Sequence, residues 1–340
     1  MMTAKPFTVA CFGEIVMRVS VPDGEMPLQS PRFDAFVGGA EANVAVALAS
    51  HGLAVRMISA LPRGPIGDAA IHAVRAHGVD TTRVERREGR MGLYYHIPGG
   101  PVRPAEVLYD RADSAFAGMA ASDWNWPELL AGVDWLHLSG VTPALGPQSA
   151  EAALAAVEAA SAAGIGVSFD GNWRGRLWEK WSDDPGAILR RIVGRASILF
   201  GNHRDASLLL GRAFSGDGES RRRAAALALL EEYPSLQYVA STARRIVGAT
   251  DHRIAARVDA RDCFAATPEI RIEPIRDRVG TGDAFAAGVL DAIWQGGGAE
   301  GAARSGLVLS ALKHGVRGDF APFPRAVTDA TLFEVSDVVR

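Results

Sequence analysis

Short apolar runs alternate with longer stretches of small, helix-favouring residues along most of the chain, which predicts strand following helix following strand. FTVACF at 7–12 and AVRMIS at 54–59 read as strands, and the small-residue run at 40–51 and GDAAIHAVRAHG at 67–78 as helices. The rhythm resumes with the strand VDWLHLS at 133–139, an alanine-rich helix over 149–163 closed by Gly164, and the strands IGVSFD at 165–170 and RASILFGN at 195–202. Strands this uniformly apolar are covered on both faces. The pattern therefore predicts an α/β fold with a mainly parallel sheet between two layers of helices.

Two stretches break the rhythm, 13–37 and 89–112. In the second, MGLYYHIP, the turn GGPVRP and AEVLYD form an aromatic, alternating hairpin pattern. Both are expected in one small sheet outside the main layer. Residues 236–258 read as successive strands, and helices are expected at 283–296 and 299–314. No internal repeat interrupts the chain, so all 340 residues are expected to form one domain with a small appendage.

Composition narrows the function classes. With 48% hydrophobic and 22% charged residues the chain is of ordinary globular type. A net charge of −3 provides no basic field for nucleic acid. Only Lys5, Lys180 and Lys313 are lysines and none follows a glycine, so the Gly-Lys-Ser/Thr of a P-loop is absent. The two cysteines, Cys11 and Cys263, are too few for a disulfide framework and read as inert core residues. The eight histidines show no metal-binding spacing. Nothing approaches ~18 uninterrupted apolar residues and the first 20 carry no secretory pattern. The expectation is a cytoplasmic protein with no membrane partner.

In open α/β sheets ligands sit at the carboxyl ends of strands. Asp170, Asn172, Asn202 and the turn at 279–283 all fall just after expected strands or before helices. In Gly280-Thr281-Gly282-Asp283, a helix start would aim unpaired amides and the positive end of its dipole at an anion. Asp283 is there either as a helix cap or for chemistry. At VGGAEANVAVALASHG, 37–52, Gly38 and Gly39 either pack a helix closely on the sheet or admit a ligand to the backbone, with Asn43 able to bond a hydroxyl. FDGNWRGRLW at 169–178 sets Asp170, Asn172, Arg174 and Arg176 after a buried strand. Arginine there suits a carboxylate or phosphate.

Taken together, VGGAEANVAVALA, DGNWRGRLW and DRVGTGDAFAAG resemble the ribokinase-like (PfkB) carbohydrate kinases, along essentially the whole chain. MGLYYHIPGGPVRPAEVLYDRADSAFA and LHLSGVTPALGP are similar to the 2-keto-3-deoxygluconate kinases within that family. The resemblance implies a ribokinase-like sheet with a small β-sheet lid from about 13–37 and 89–112. The lid in such enzymes commonly joins subunits, implying a homodimer or higher homo-oligomer. The implied reaction transfers the γ-phosphoryl of ATP, with Mg²⁺, to the 6-hydroxyl of a keto-deoxy sugar acid.

Carried over by position, Asp283 resembles the catalytic base, with Val279, Gly280, Thr281 and Gly282 as the anion hole and part of the nucleotide site. Gly38, Gly39, Asn43, Tyr94, Tyr109, Arg111, Asp170, Arg174 and Asp319 correspond to the sugar-acid side. Asn172, Asn202, Ser241 and Thr242 fall to the nucleotide, although 239–253 lacks the glycine-rich turn common there. Asp205 stands where relatives carry glutamate and is expected to reach Mg²⁺ through water. Two other readings remain open on the residues: a kinase of a neutral sugar or nucleoside, and a non-catalytic sugar-acid sensor.

Overall fold

The computed structural model describes residues 6–100 and 102–331. Lys5 and position 101 of the expected 99–104 turn lie outside the described residues. Strand β1 (Thr8–Phe12) explains why the sheet is covered on both faces: Val9 and Cys11 enter one apolar cluster, while Ala10 and Phe12 enter another. All four are buried. A strand with no face for water belongs at the centre of a sandwiched sheet.

The main sheet contains β1, β4 (Ala54–Pro62), β5 (Asp80–Arg87), β8 (Trp135–Ser139), β9 (Gly166–Asp170), β10 (Ile198–Phe200), β11 (Tyr238–Gly248), β12 (Asp251–Asp259), β13 (Phe264–Ala266) and β14 (Ile270–Ile272). Its order is β13-β12-β11-β10-β9-β8-β1-β4-β5, with β14 also on β12. From β11 to β5 every pairing is parallel, and β12 turns the far edge antiparallel. This is a ribokinase-like fold.

The two rhythm-breaking stretches meet in a second sheet of β2 (Val16–Ser20), β3 (Asp34–Gly38), β6 (Gly92–Ile97) and β7 (Glu106–Asp110), ordered β3-β2-β6-β7. The chain enters this sheet from β1 through Gly13, Glu14 and Ile15, so main and small sheets are joined by three residues.

The helix read at 67–78 begins earlier, at Pro65. A proline in the first turn surrenders an amide that has no intrahelical acceptor anyway. Helices Pro185–Val193, His203–Leu210 and Glu219–Glu232 lie on either side of the strand read at 195–202, in stretches for which the pattern gives no helix. Cys11 is in the core, whereas Cys263 is exposed, contrary to expectation. It tips the tight β12–β13 connection, closed by the Ala260 amide on the Cys263 carbonyl at 2.9 Å, where little can cover it. Among the described residues no helix is long and apolar enough to cross a membrane.

Phe12 ends β1 inside a ring cluster, its centroid 5.5 Å from Phe116, 5.1 Å from Trp124 and 4.8 Å from Trp126. Phe12→Ala is expected to cost about 3–5 kcal/mol, read as a lowered urea midpoint. An unchanged midpoint would contradict this view of the core.

Candidate active site

The carboxyl ends of β9 and β10 and the adjoining Ser241 and Thr242 within β11 open onto one rim. Two adjoining cavities lie there, of about 500 Å³ and 690 Å³. Asn202, Arg204, Ser241, Thr242 and Gly282 line both. Thr281 and His314 line the first, and Asp170, Asn172 and Asp205 the second.

The glycine turn is built by three constraints. Gly280 caps helix Thr281–Trp294 at φ 80°, a left-handed conformation that disfavours a side chain. A Cβ there would also strike the Asp319 carbonyl. Asp277 fixes the entry: its Oδ1 accepts from the Val279 amide at 3.0 Å and its Oδ2 from the Gly318 amide at 3.1 Å. The Val279 amide is thus engaged. Thr281 makes only a long 3.4 Å amide contact to the Arg278 carbonyl. The first-turn amides of the helix are the donors left for an anion.

Behind the turn lies a buried charge network. Arg18 of β2 pairs with Asp277 (2.6 Å) and Asp319 (3.0 Å), and its guanidinium lies 4.5 Å from the Phe36 ring centre. Tyr94 Oη donates to Asp319 Oδ2 at 2.7 Å. A Cβ on Gly38 would strike the Asp319 carboxylate, and one on Gly39, at φ 135°, the Glu14 carbonyl. The small sheet is therefore pinned directly to the turn.

Asp283 lies in the first turn of its helix, and its Oδ2 accepts from Asn43 Nδ2 at 2.6 Å. Asn43 itself stands in the first turn of helix Ala40–Ser50, its Oδ1 buried without a partner. Desolvation raises the Asp283 carboxyl to about 7, with Glu41 and Asp319 pushing the same way, while Asn43 and Arg174 draw it back. Burial, then the charges of Asp283 and Asp205, raise Asp170 to about 8. Burial also raises Asp205. Three carboxyls crowd together, with Arg174 facing Asp283 and Asp170 and Arg204 beside Asp205.

The remaining predicted residues fall into distinct environments. Tyr94 and Tyr109 are paired across β6 and β7 with ring centroids 6.5 Å apart. Arg111 is buried and already paired, its Nη2 2.6 Å from Glu14 Oε2, while Glu14 Oε1 has no partner. Arg174 contacts the Trp173 carbonyl at 3.1 Å and has no ion pair among the described residues. Asn172 holds a left-handed φ of 36°, its amide on Asp170 Oδ1 at 3.0 Å.

Asn202 and Asp205 form a reciprocal cap on helix His203–Leu210, the Asn202 amide on Asp205 Oδ2 and the Arg204 amide on Asn202 Oδ1, each at 2.8 Å. The shorter acid is thereby fixed with one oxygen committed. Among the described residues no three His, Cys, Asp or Glu side chains converge as a protein-only metal cage. Crowded carboxylates lining the cavity of about 690 Å³ nonetheless fit a hard divalent cation that takes its other ligands from phosphates and water.

Arg18, Asp277, Glu14 and Lys313 escaped sequence reasoning. The available signals were a lone arginine in the apolar strand VMRVS and a lysine closing the apolar run GLVLSALK.

Residues 7–326 match the pfkB family carbohydrate kinase. A 2-dehydro-3-deoxygalactonokinase of Haloferax volcanii is 30% identical over 320 residues, covering 94% of each chain. A 2-dehydro-3-deoxygluconokinase of Escherichia coli (strain K12) is 25% identical over 302 residues, 84% of this chain and 90% of that one. The solved 2-dehydro-3-deoxygluconokinase of Thermotoga maritima superposes with a TM-score of 0.89 at 33% identity, covering 95% of this chain and 98% of the other. The chain belongs to the pfkB family of carbohydrate kinases.

Proposed function

We propose that the protein transfers the γ-phosphoryl group of ATP to the 6-hydroxyl of 2-keto-3-deoxy-D-gluconate, giving 2-keto-3-deoxy-6-phosphogluconate and ADP. The observation that carries this reading is the buried Asp283 carboxylate in the first turn of its helix, held by Asn43 and drawn toward the ionised form by Arg174. The similarity to the Thermotoga and Escherichia kinases supports the acceptor class. The Haloferax relative favours a second acceptor, the galactonate-derived epimer. Both are carboxylated and present the same 6-hydroxyl.

Phosphoryl transfer asks a protein for positioning and charge stabilisation more than covalent chemistry. The 6-hydroxyl oxygen attacks the γ-phosphorus, its proton passes to Asp283, and the bond to the ADP oxygen breaks. First-turn amides from Thr281 to Asp283 meet the charge growing on the transferring group, already aimed by the Gly280 turn. Ser241, Thr242 and Asn202 line the nucleotide cavity. Mg²⁺, held through Asp205 and Asp170 with the phosphates, would neutralise phosphate charge.

On the acceptor side, Arg174 is free to meet the substrate carboxylate, whereas Arg111 arrives paired with Glu14 and presents a smaller net charge. Tyr94, Tyr109, Gly38, Gly39 and Asp319 shape the sugar side, and the unpartnered Asn43 Oδ1 accepts from a hydroxyl. The small sheet closes over the acceptor and excludes water, which would otherwise compete for the phosphoryl group.

A base must be ionised to accept a proton. Asp283 is raised to about 7, so kcat/KM should rise with pH through that region and level off above it. Asp170 interacts with Asp283, so the limb belongs to the pair. Asp283→Asn should retain ATP binding, abolish the limb and slow turnover by ~10²–10⁴-fold. Near-normal turnover of the folded variant in a coupled ADP assay would refute the assignment.

Losing a charged hydrogen bond costs about 1.5–3 kcal/mol, or ~10–150-fold. Arg174→Ala should raise the sugar-acid KM by such a factor and leave the ATP KM nearly unmoved. An unmoved sugar-acid KM would overturn carboxylate recognition by Arg174.

A further inference from the structure

Lys313, in helix Gly298–His314, has no solvent exposure. Its ammonium has three donors to satisfy, and the hydrogen bond it makes is to the Val316 carbonyl at 3.1 Å. Burying an ammonium is costly unless other charges compensate. The groups whose charges act on it are Asp277 and Asp319, then Arg18, then Asp283. His314 beside it is turned to the Ser310 carbonyl at 2.7 Å.

The stem of Lys313 lies directly beneath the glycine turn. A Cβ on Gly280 would sit 3.4 Å from Lys313 Cε, with the Asp319 carbonyl on its other side. The chain just after Lys313 returns to the same place: Lys313 holds Val316, and Asp277 holds Gly318. Lys313 and Arg18 together face Asp277 and Asp319. Without the lysine, Asp277, Asp319 and Asp283 would share the charge of Arg18 from behind and Arg174 from the front, with the buried acids Glu41 and Asp170 also near Asp283.

We propose that Lys313 is a positioning residue, a built-in cation behind the Gly280 turn that holds the turn's potential positive for the phosphoryl group. It touches neither ATP nor the acceptor. The inference rests on the kinase reading above. Its physical basis is that a charge fixed in a dry site needs no reorganisation during transfer and is screened little by solvent.

Lys313→Met removes the charge and keeps most of the volume. The expected result is a folded protein whose kcat falls ~10–100-fold while the sugar-acid KM changes little. Lys313→Ala leaves space for a small amine, so methylammonium should restore turnover saturably while the bulkier tetramethylammonium should not. A folded Lys313→Met enzyme with unmoved kcat overturns the proposal. So does a fall in kcat matched by a comparable rise in the sugar-acid KM, or an absence of methylammonium rescue in the alanine variant, either of which would mark a merely structural lysine. If wild-type protein phosphorylates no sugar acid, the function reading fails instead. Lys313 is then judged by equilibrium dialysis of ATP, where weaker binding by Lys313→Met supports its role and equal binding overturns it.

Discussion

Arg18 carries a positive charge to a position with only 1% side-chain exposure, tolerable because Asp277 and Asp319 meet it there. Each partner has a second task. Asp277 holds the amides of Val279 and Gly318, and Asp319 accepts from Tyr94 while its carbonyl occupies the space beside Gly280. One guanidinium from the small sheet therefore sets the glycine turn, the Tyr94 ring and the return of the chain at 316–319. A buried ion pair is a weak source of net stability, yet removing one member costs about 3–5 kcal/mol, because the other charge is left unpaired. Such a network is suited to fixing geometry.

The same neighbourhood sets the protonation chemistry. Asp283, Asp170 and Asp319 are all raised by burial, to about 7, 8 and 6. Carboxyls crowded in this way hold their protons until cations arrive, and the cations the protein itself supplies are Arg18, Arg174 and Lys313. Asn43 keeps Asp283 oriented at 2.6 Å without adding charge. Glu14, at the three-residue junction between the sheets, removes Arg111 from this balance by pairing with it. The site thus separates a cationic back wall, a glycine turn and an acid into layers that the fold assembles from positions far apart in the chain.

Much of this was legible in the sequence, for physical reasons. The apolar run of β1 had no face for water, and the rhythm-breaking stretches at 13–37 and 89–112 could pair only with each other. Gly280 and Asp283 declared a helix start by local chemistry alone. The buried charges were hidden because a charged residue reads as a surface residue unless its partner is known. Arg18 and Asp277 are 259 positions apart, and Arg111 lies 97 positions from Glu14. No periodicity links such pairs. Cys263 misled in the opposite sense, a residue of apolar habit stranded on the tight turn between β12 and β13.

The central claim is that this charge-balanced turn delivers a phosphoryl group to a carboxylated sugar. The most direct test is ADP release by the purified protein with ATP and Mg²⁺ against 2-keto-3-deoxygluconate, its galactonate-derived epimer, ribose, fructose and adenosine. The account predicts turnover with one or both keto-deoxy acids that exceeds the neutral acceptors in kcat/KM by at least the ~10–150-fold a charged contact provides. Equal or greater kcat/KM with ribose, fructose or adenosine, or no acceptor-dependent ADP at all, would contradict it.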